Sequence, residues 1–126
     1  MSYATRKGHE GEKDVEKYLE DVFSMWKFRF DRRGGTERFK KSMHGDVCRI
    51  GEGNCVLDPY FLEVKRQATM KVLEWLDKAE DDGKLSGKRG AILFATHAPK
   101  NKVGKDVVVM TRKTFGILMR ELQGYL

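Results

Sequence analysis

Ala91 to Thr96 is a continuous apolar run, long enough for a strand and too short for a helix of ordinary length. A run of this kind is expected of a strand at the centre of a sheet, buried on both faces and therefore covered by layers on each side. Helical patterns elsewhere supply those layers. Val15, Tyr18, Leu19, Val22, Phe23 and Trp26 fall at i, i+3, i+4, i+7, i+8 and i+11, a single apolar stripe. A second helix is predicted from about Thr69 to Asp82, with Val72, Leu73, Leu76 and Ala79 inward and Gly83, Gly87 and Gly90 ending it. A last helix places Phe115, Leu118, Met119 and Leu122 on one face.

The remaining segments read as strands. Lys27 to Phe30 alternates charged and aromatic residues, and Asp46 to Ile50 is a short strand. Gly51 to Asn54 makes a turn, after which Cys55 to Lys65 returns as a longer strand interrupted at Asp58-Pro59. Asp106 to Met110 is the last strand. The order is α, three β, α, β, β, α, with no repeat or linker, so residues 1–126 are expected to form a single α/β domain with a mixed sheet flanked by helices. At 126 residues the chain suits one core. No run approaches the roughly 20 apolar residues of a bilayer span, and the N-terminus lacks the apolar core of a signal peptide. An intracellular, cytoplasmic setting without membrane contact follows as the expectation. Cys48 and Cys55 flank the turn; with His44 they suggest zinc, but a structural site wants four ligands in close pairs. Two small apolar residues on neighbouring strands is the preferred reading.

Strand alternation makes the central observation. In Phe61-Leu62-Glu63-Val64-Lys65, Leu62 and Val64 point to one face while Glu63 and Lys65 share the other. Taken alone, E-x-K is better read as a salt bridge at a sheet edge than as a site. Asp46, however, opens the strand expected to pair with this one through the Gly51–Asn54 turn, which brings its carboxylate towards Glu63. It follows Gly45, whose lack of a side chain permits close approach of a backbone or ligand. Two carboxylates from adjacent strands beside a lysine are the groups that hard divalent cations use in phosphate chemistry. At about 100° per residue, Glu12 lies about 40° from the centre of the first helix's stripe. An inward carboxylate costs free energy unless a metal or a cationic partner compensates it; a first-turn capping role is the alternative.

Gly45-Asp46 followed by Phe61-Leu62-Glu63-Val64-Lys65 resembles the PD-(D/E)XK nuclease signature. Lys7-Gly8-x-x-x-Glu12 opening a helix is similar to the start of the archaeal-type and phage-encoded Holliday junction resolvases of that superfamily, and the element order resembles their αβββαβ restriction-endonuclease-like core over roughly Arg6 to Met110. The resemblance implies that Asp46 and Glu63 ligate Mg²⁺, with Mn²⁺ as the alternative ion and the Val64 backbone carbonyl as a further ligand. Glu12 completes the cluster directly or through water, and Lys65 positions the attacking water and steadies phosphate charge. The implied chemistry is in-line phosphodiester hydrolysis on four-way DNA junctions by a homodimer. This sequence departs from the family where Gly45 replaces the usual Pro. Asp58-Pro59 inverts the Pro-Asp order too close to Glu63 for a hairpin, so Asp58 is rejected as a ligand. Gly34-Gly35-Thr36 stands where the resolvases carry Gly-Ser, with Thr36 in the serine's place.

Beside such a site the basic balance gains meaning. The net charge is +6, with pI near 9.4, and Lys27, Arg29, Arg32, Arg33, Arg38, Lys40 and Lys41 cluster around a Gly-Gly-Thr loop. Arg32, Arg33, Thr36, Arg38, Lys40 and Lys41 are candidate DNA contacts, as are Arg6 and Lys7 at the first helix and Arg66 and Gln67 at the end of the motif strand. Trp75 reads as partial core rather than as a stacking platform. His9, His44 and His97 have no partner at metal spacing and receive no catalytic role. Competing readings are a nickase, repair or restriction-type nuclease on the same fold, a DNA-binding module that has lost catalysis, and a basic scaffold whose acid–lysine pairs are ordinary salt bridges.

Overall fold

A computed structural model of the chain describes residues 3–32, 45–100, 102 and 104–125, with side chains from residue 8 onward except at 32 and 125. Helix α1 (Tyr3–Val22) is followed by a 3-10 turn (Ser24–Trp26) and strands β1 (Arg29–Arg32), β2 (Val47–Ile50) and β3 (Tyr60–Gln67). Helix α2 (Val72–Leu85), strands β4 (Gly90–His97) and β5 (Asp106–Val109) and helix α3 (Arg112–Tyr125) complete the order. It is the predicted succession of elements, a mixed α/β architecture.

Strands β3, β4 and β5 form a three-stranded mixed sheet with β4 central, as its apolar run requires. Strand β3 pairs with β4 in parallel, with α2 as the crossover, and β4 pairs with β5 antiparallel. Side-chain alternation divides the packing. Leu62, Val64, Ile92 and Phe94 share one core with Leu19 of α1 and Leu118 of α3. On the opposite face, Phe61 and Ala91 meet Ala79, while Leu93 and Ala95 meet Leu76, all through α2. Helices thus flank both faces, and none among the described residues is long and apolar enough to cross a membrane.

The β2–β3 hairpin expected across Gly51–Asn54 does not form. Strand β2 instead pairs antiparallel with β1, from Arg29 opposite Ile50 to Arg32 opposite Val47. It meets β3 in parallel through an isolated bridge, Gly45 to Leu62. Arg49 explains the difference. Its guanidinium donates to both carboxylate oxygens of Asp58 at 2.8 Å and to the carbonyls of Gly51, Glu52 and Gly53. Those five bonds use all five donors of the side chain, which also lies 5.1 Å over the Phe28 ring. The Cys55 amide donates to Asp58 at 3.0 Å, closing a compact loop from which β3 emerges running alongside β2. Cys55 accordingly sits in this loop and only Cys48 on a strand; both are buried.

Other differences concern helix limits and phase. Gly83 does not end α2. It is buried within the helix, where a Cβ would stand 3.2 Å from that of Phe61, and the chain turns only at Gly87, with φ of 73°. With α2 starting at Val72, Leu73 is rotated outward and 75% exposed. Tyr18, Val22 and Trp26 are likewise exposed, so α1 buries a narrower face through Gly11, Glu12 and Leu19. On α3 the inward positions are Thr114 and Leu118, and Phe115 and Met119 face outward. Trp75 packs, partly buried, against the Leu76, Leu93 and Ala95 cluster.

Candidate active site

Gly45 is the point at which the two sheets meet. Its φ is +89°, and a Cβ there would overlap the Leu62 carbonyl oxygen, so no residue with a side chain fits without displacing the backbone. The Asp46 amide donates to that same Leu62 oxygen at 2.8 Å. A continuing parallel ladder would next use the Val64 amide. Here that amide donates to Asp46 Oδ2 at 2.9 Å. The carboxylate therefore takes the place of a backbone acceptor, and β2 departs from β3 immediately beyond it. Asp46 is fixed at both its amide and its side chain.

Glu63 lies between these two anchor points, with its side chain on the α2 face. Burial above all, then a hydrogen bond with the Asp46 side chain and the charge of Asp46, push its carboxyl up to about 9. Lys65, half-buried two residues along on the same face, acts in the opposite sense; Asp82, arriving from α2, adds to the rise. Asp82 was missed in the sequence because its proximity depends on how α2 docks, although it lies one position from the inward Gly83.

The other predicted residues are distributed around this pair. Glu12 is 7% exposed on α1. Its neighbour Gly11 rests on Val64 and Arg66, so α1 covers the face of β3 opposite to that of Glu63 and Lys65. Among the described residues, no three His, Cys, Asp or Glu side chains gather closely enough to hold a metal ion. Arg66 is paired with Asp14 of α1 at 2.8 Å. Gln67 is exposed on the Glu63 face, its carbonyl accepting from the Ala98 amide at 2.8 Å. Arg33, Thr36, Arg38, Lys40 and Lys41, together with His44 and the side chains of Arg6, Lys7 and Arg32, lie outside the described residues.

The donor chemistry fits a small hard cation. Magnesium is commonly held by one or two carboxylates while retaining several waters. Asp46, Glu63 and the Val64 carbonyl are oxygen donors of that kind. Comparison with protein-family models, with curated proteins and with solved structures found no match to this chain.

Asp58 belongs to a different construction. Burial pushes its carboxyl up, but hydrogen bonds from Arg49 and the Cys55 amide, with the charges of Arg49 and Lys88, outweigh this and hold it below the usual carboxylate range. A cavity of about 140 Å³ lies beside it, lined by Cys48, Arg49, Tyr60 and Lys88 among others. None of Asp46, Glu63 and Lys65 lines it, so that cavity and the carboxylate pair are separate features.

Proposed function

We propose that this chain is a divalent-metal-dependent DNA endonuclease with a restriction-endonuclease-like core, acting on branched DNA and foremost on four-way junctions. The observation that carries the reading is the Asp46–Glu63 pair: two carboxyls from separately anchored strands, brought into contact beside Lys65. An ordinary sheet-edge salt bridge between Glu63 and Lys65 does not call for a second carboxylate pinned to the intervening amide. In this reading Asp46, Glu63 and the Val64 carbonyl hold Mg²⁺ or Mn²⁺. An ion bound by these residues would supply positive charge beside the phosphate and would make water a stronger nucleophile near neutral pH. Lys65 donates to a phosphate oxygen, and its ammonium steadies the charge that develops on the pentacovalent phosphorus. Glu12 contributes from the α1 side only through water or through strand positioning. Paired cuts on opposing strands require two such sites, hence a homodimer, and an intracellular, cytoplasmic setting belongs to the same proposal.

A second reading, a DNA-binding module without catalysis, is favoured by one observation: among the described residues no third acidic side chain, Asp82 included, stands close enough to hold a metal ion with the pair. One assay separates the two. Synthetic four-way junction, linear duplex and single strand are incubated with and without Mg²⁺, beside Asp46→Ala. Symmetric nicks confined to the junction, dependent on Mg²⁺ and lost in the variant, support the resolvase. Cleavage of every substrate reassigns the chain to a general, nicking or restriction-type nuclease. Binding without Mg²⁺-dependent cleavage sinks the enzyme reading.

A further inference from the structure

Arg66 follows Lys65 on β3 but leaves the strand on the opposite face, the one that α1 covers. Its stem crosses α1 at Gly11. A Cβ on that glycine would stand 3.1 Å from the Cβ of Arg66 and 3.6 Å from its Cδ, so the track is open only because no side chain occupies it. Beyond the glycine, Arg66 Nη1 reaches Oδ2 of Asp14 at 2.8 Å. The Asp14 side chain is 69% exposed and that of Arg66 28%, so the pair sits at the rim with the carboxylate turned to solvent. Exposed pairs of this type are weak. A guanidinium addresses a phosphate oxygen as readily as a carboxylate oxygen.

We propose that Asp14 occupies at Arg66 the place of a DNA phosphate, and that a backbone phosphate of the substrate displaces it. The inference rests on the nuclease reading and adds to it a contact on the far side of the motif strand. DNA crossing the C-terminal end of β3 meets Lys65 from one face and Arg66 from the other. Because the Arg66 stem is already confined along Gly11, exchanging one anion for another orders little that was free, while the DNA gains from the release of its counterions. Asp14 meanwhile keeps the guanidinium aligned and neutralised until substrate arrives.

The test measures fluorescence anisotropy of a labelled four-way junction in EDTA, where nothing is cut, over a series of KCl concentrations. Wild type, Asp14→Asn, Arg66→Gln and the double variant are compared, with circular dichroism to check folding. Arg66→Gln should lower the slope of log affinity against log salt by about one. Asp14→Asn should bind about two- to fivefold tighter, the range set by the worth of an exposed ion pair. That gain should vanish when Arg66 is absent. Equal gains from Asp14→Asn with and without Arg66 would reveal a mere change of net charge and overturn the proposal, as would an unchanged slope in Arg66→Gln. Should Arg66→Gln fail to fold, Asp14→Asn still decides, since an unaltered affinity overturns the proposal. A wild-type protein that binds no DNA removes the nuclease reading and this one together; binding and cleavage without the Arg66 effects remove this one alone.

Discussion

At Gly45 the backbone passes so close to Leu62 that a methyl group has nowhere to go, and the φ of +89° is one that other residues resist. Gly45→Ala should therefore lower stability by about 3 kcal/mol or more, read as a shift in urea midpoint, and should remove cleavage along with the hold on Asp46. Glu63 carries a second consequence. Its folded value of about 9 stands above the ordinary 4.5, so the folded state binds a proton that the unfolded chain releases across that window. The associated stability is fully present below the ordinary value and is lost as pH rises through the folded one. Denaturation at a series of pH values should show stability falling across this range. Added Mg²⁺ should lessen the fall by favouring the charged form, and Glu63→Gln should flatten it while reducing cleavage at least about a hundredfold. Much of this was legible: alternation alone puts Glu63 and Lys65 on one face, and Gly45 announces a close approach. What approaches was not legible, since the Asp46 side chain substituting for a ladder carbonyl depends on where two strands separate.

Among the elements, the β2–β3 connection departs most from its sequence pattern. Gly51 to Asn54 has the composition of a hairpin turn, and only tertiary contacts reveal that Arg49 gathers three of its carbonyls and Asp58 into one knot. Arg49→Ala should destabilise the protein by about 2–3 kcal/mol, less than a fully buried pair because the Asp58 side chain is 33% exposed. Asp58 is held below the usual carboxylate range, so its contribution is present above the unfolded value and disappears as pH falls through the folded one. Chemical denaturation at neutral and at strongly acid pH should show that Asp58→Asn costs stability in the first condition and little in the second. Helix phase was legible in part. Leu19, Leu76, Ala79 and Leu118 were correctly read as inward, whereas Leu73, Phe115 and Met119 obey the same spacing and face water. Apolar periodicity marks a stripe, and the docking angle decides how much of the stripe is covered.

For the whole molecule, the order of elements and the central place of β4 could be read from the chain because burial on two faces leaves a period-free apolar run that few other positions tolerate. Subunit assembly is a separate matter, resting on the need for two cuts. Sedimentation equilibrium should return twice the 14.6 kDa chain mass; a monomer that still cuts both strands of a junction symmetrically would contradict it. Among the described residues, the one β-bridge from the β1–β2 sheet to the β3–β4–β5 sheet is Gly45–Leu62, beside which Asp46 and Glu63 stand, while Phe30 and Val47 share a core with Leu62 and Val64. The backbone seam between the two sheets therefore runs through the residues proposed to bind metal. An ion held there acts as a rivet: amide exchange at Asp46 and Val64 should slow when Mg²⁺ is added, and the two sheets should open together rather than one after the other.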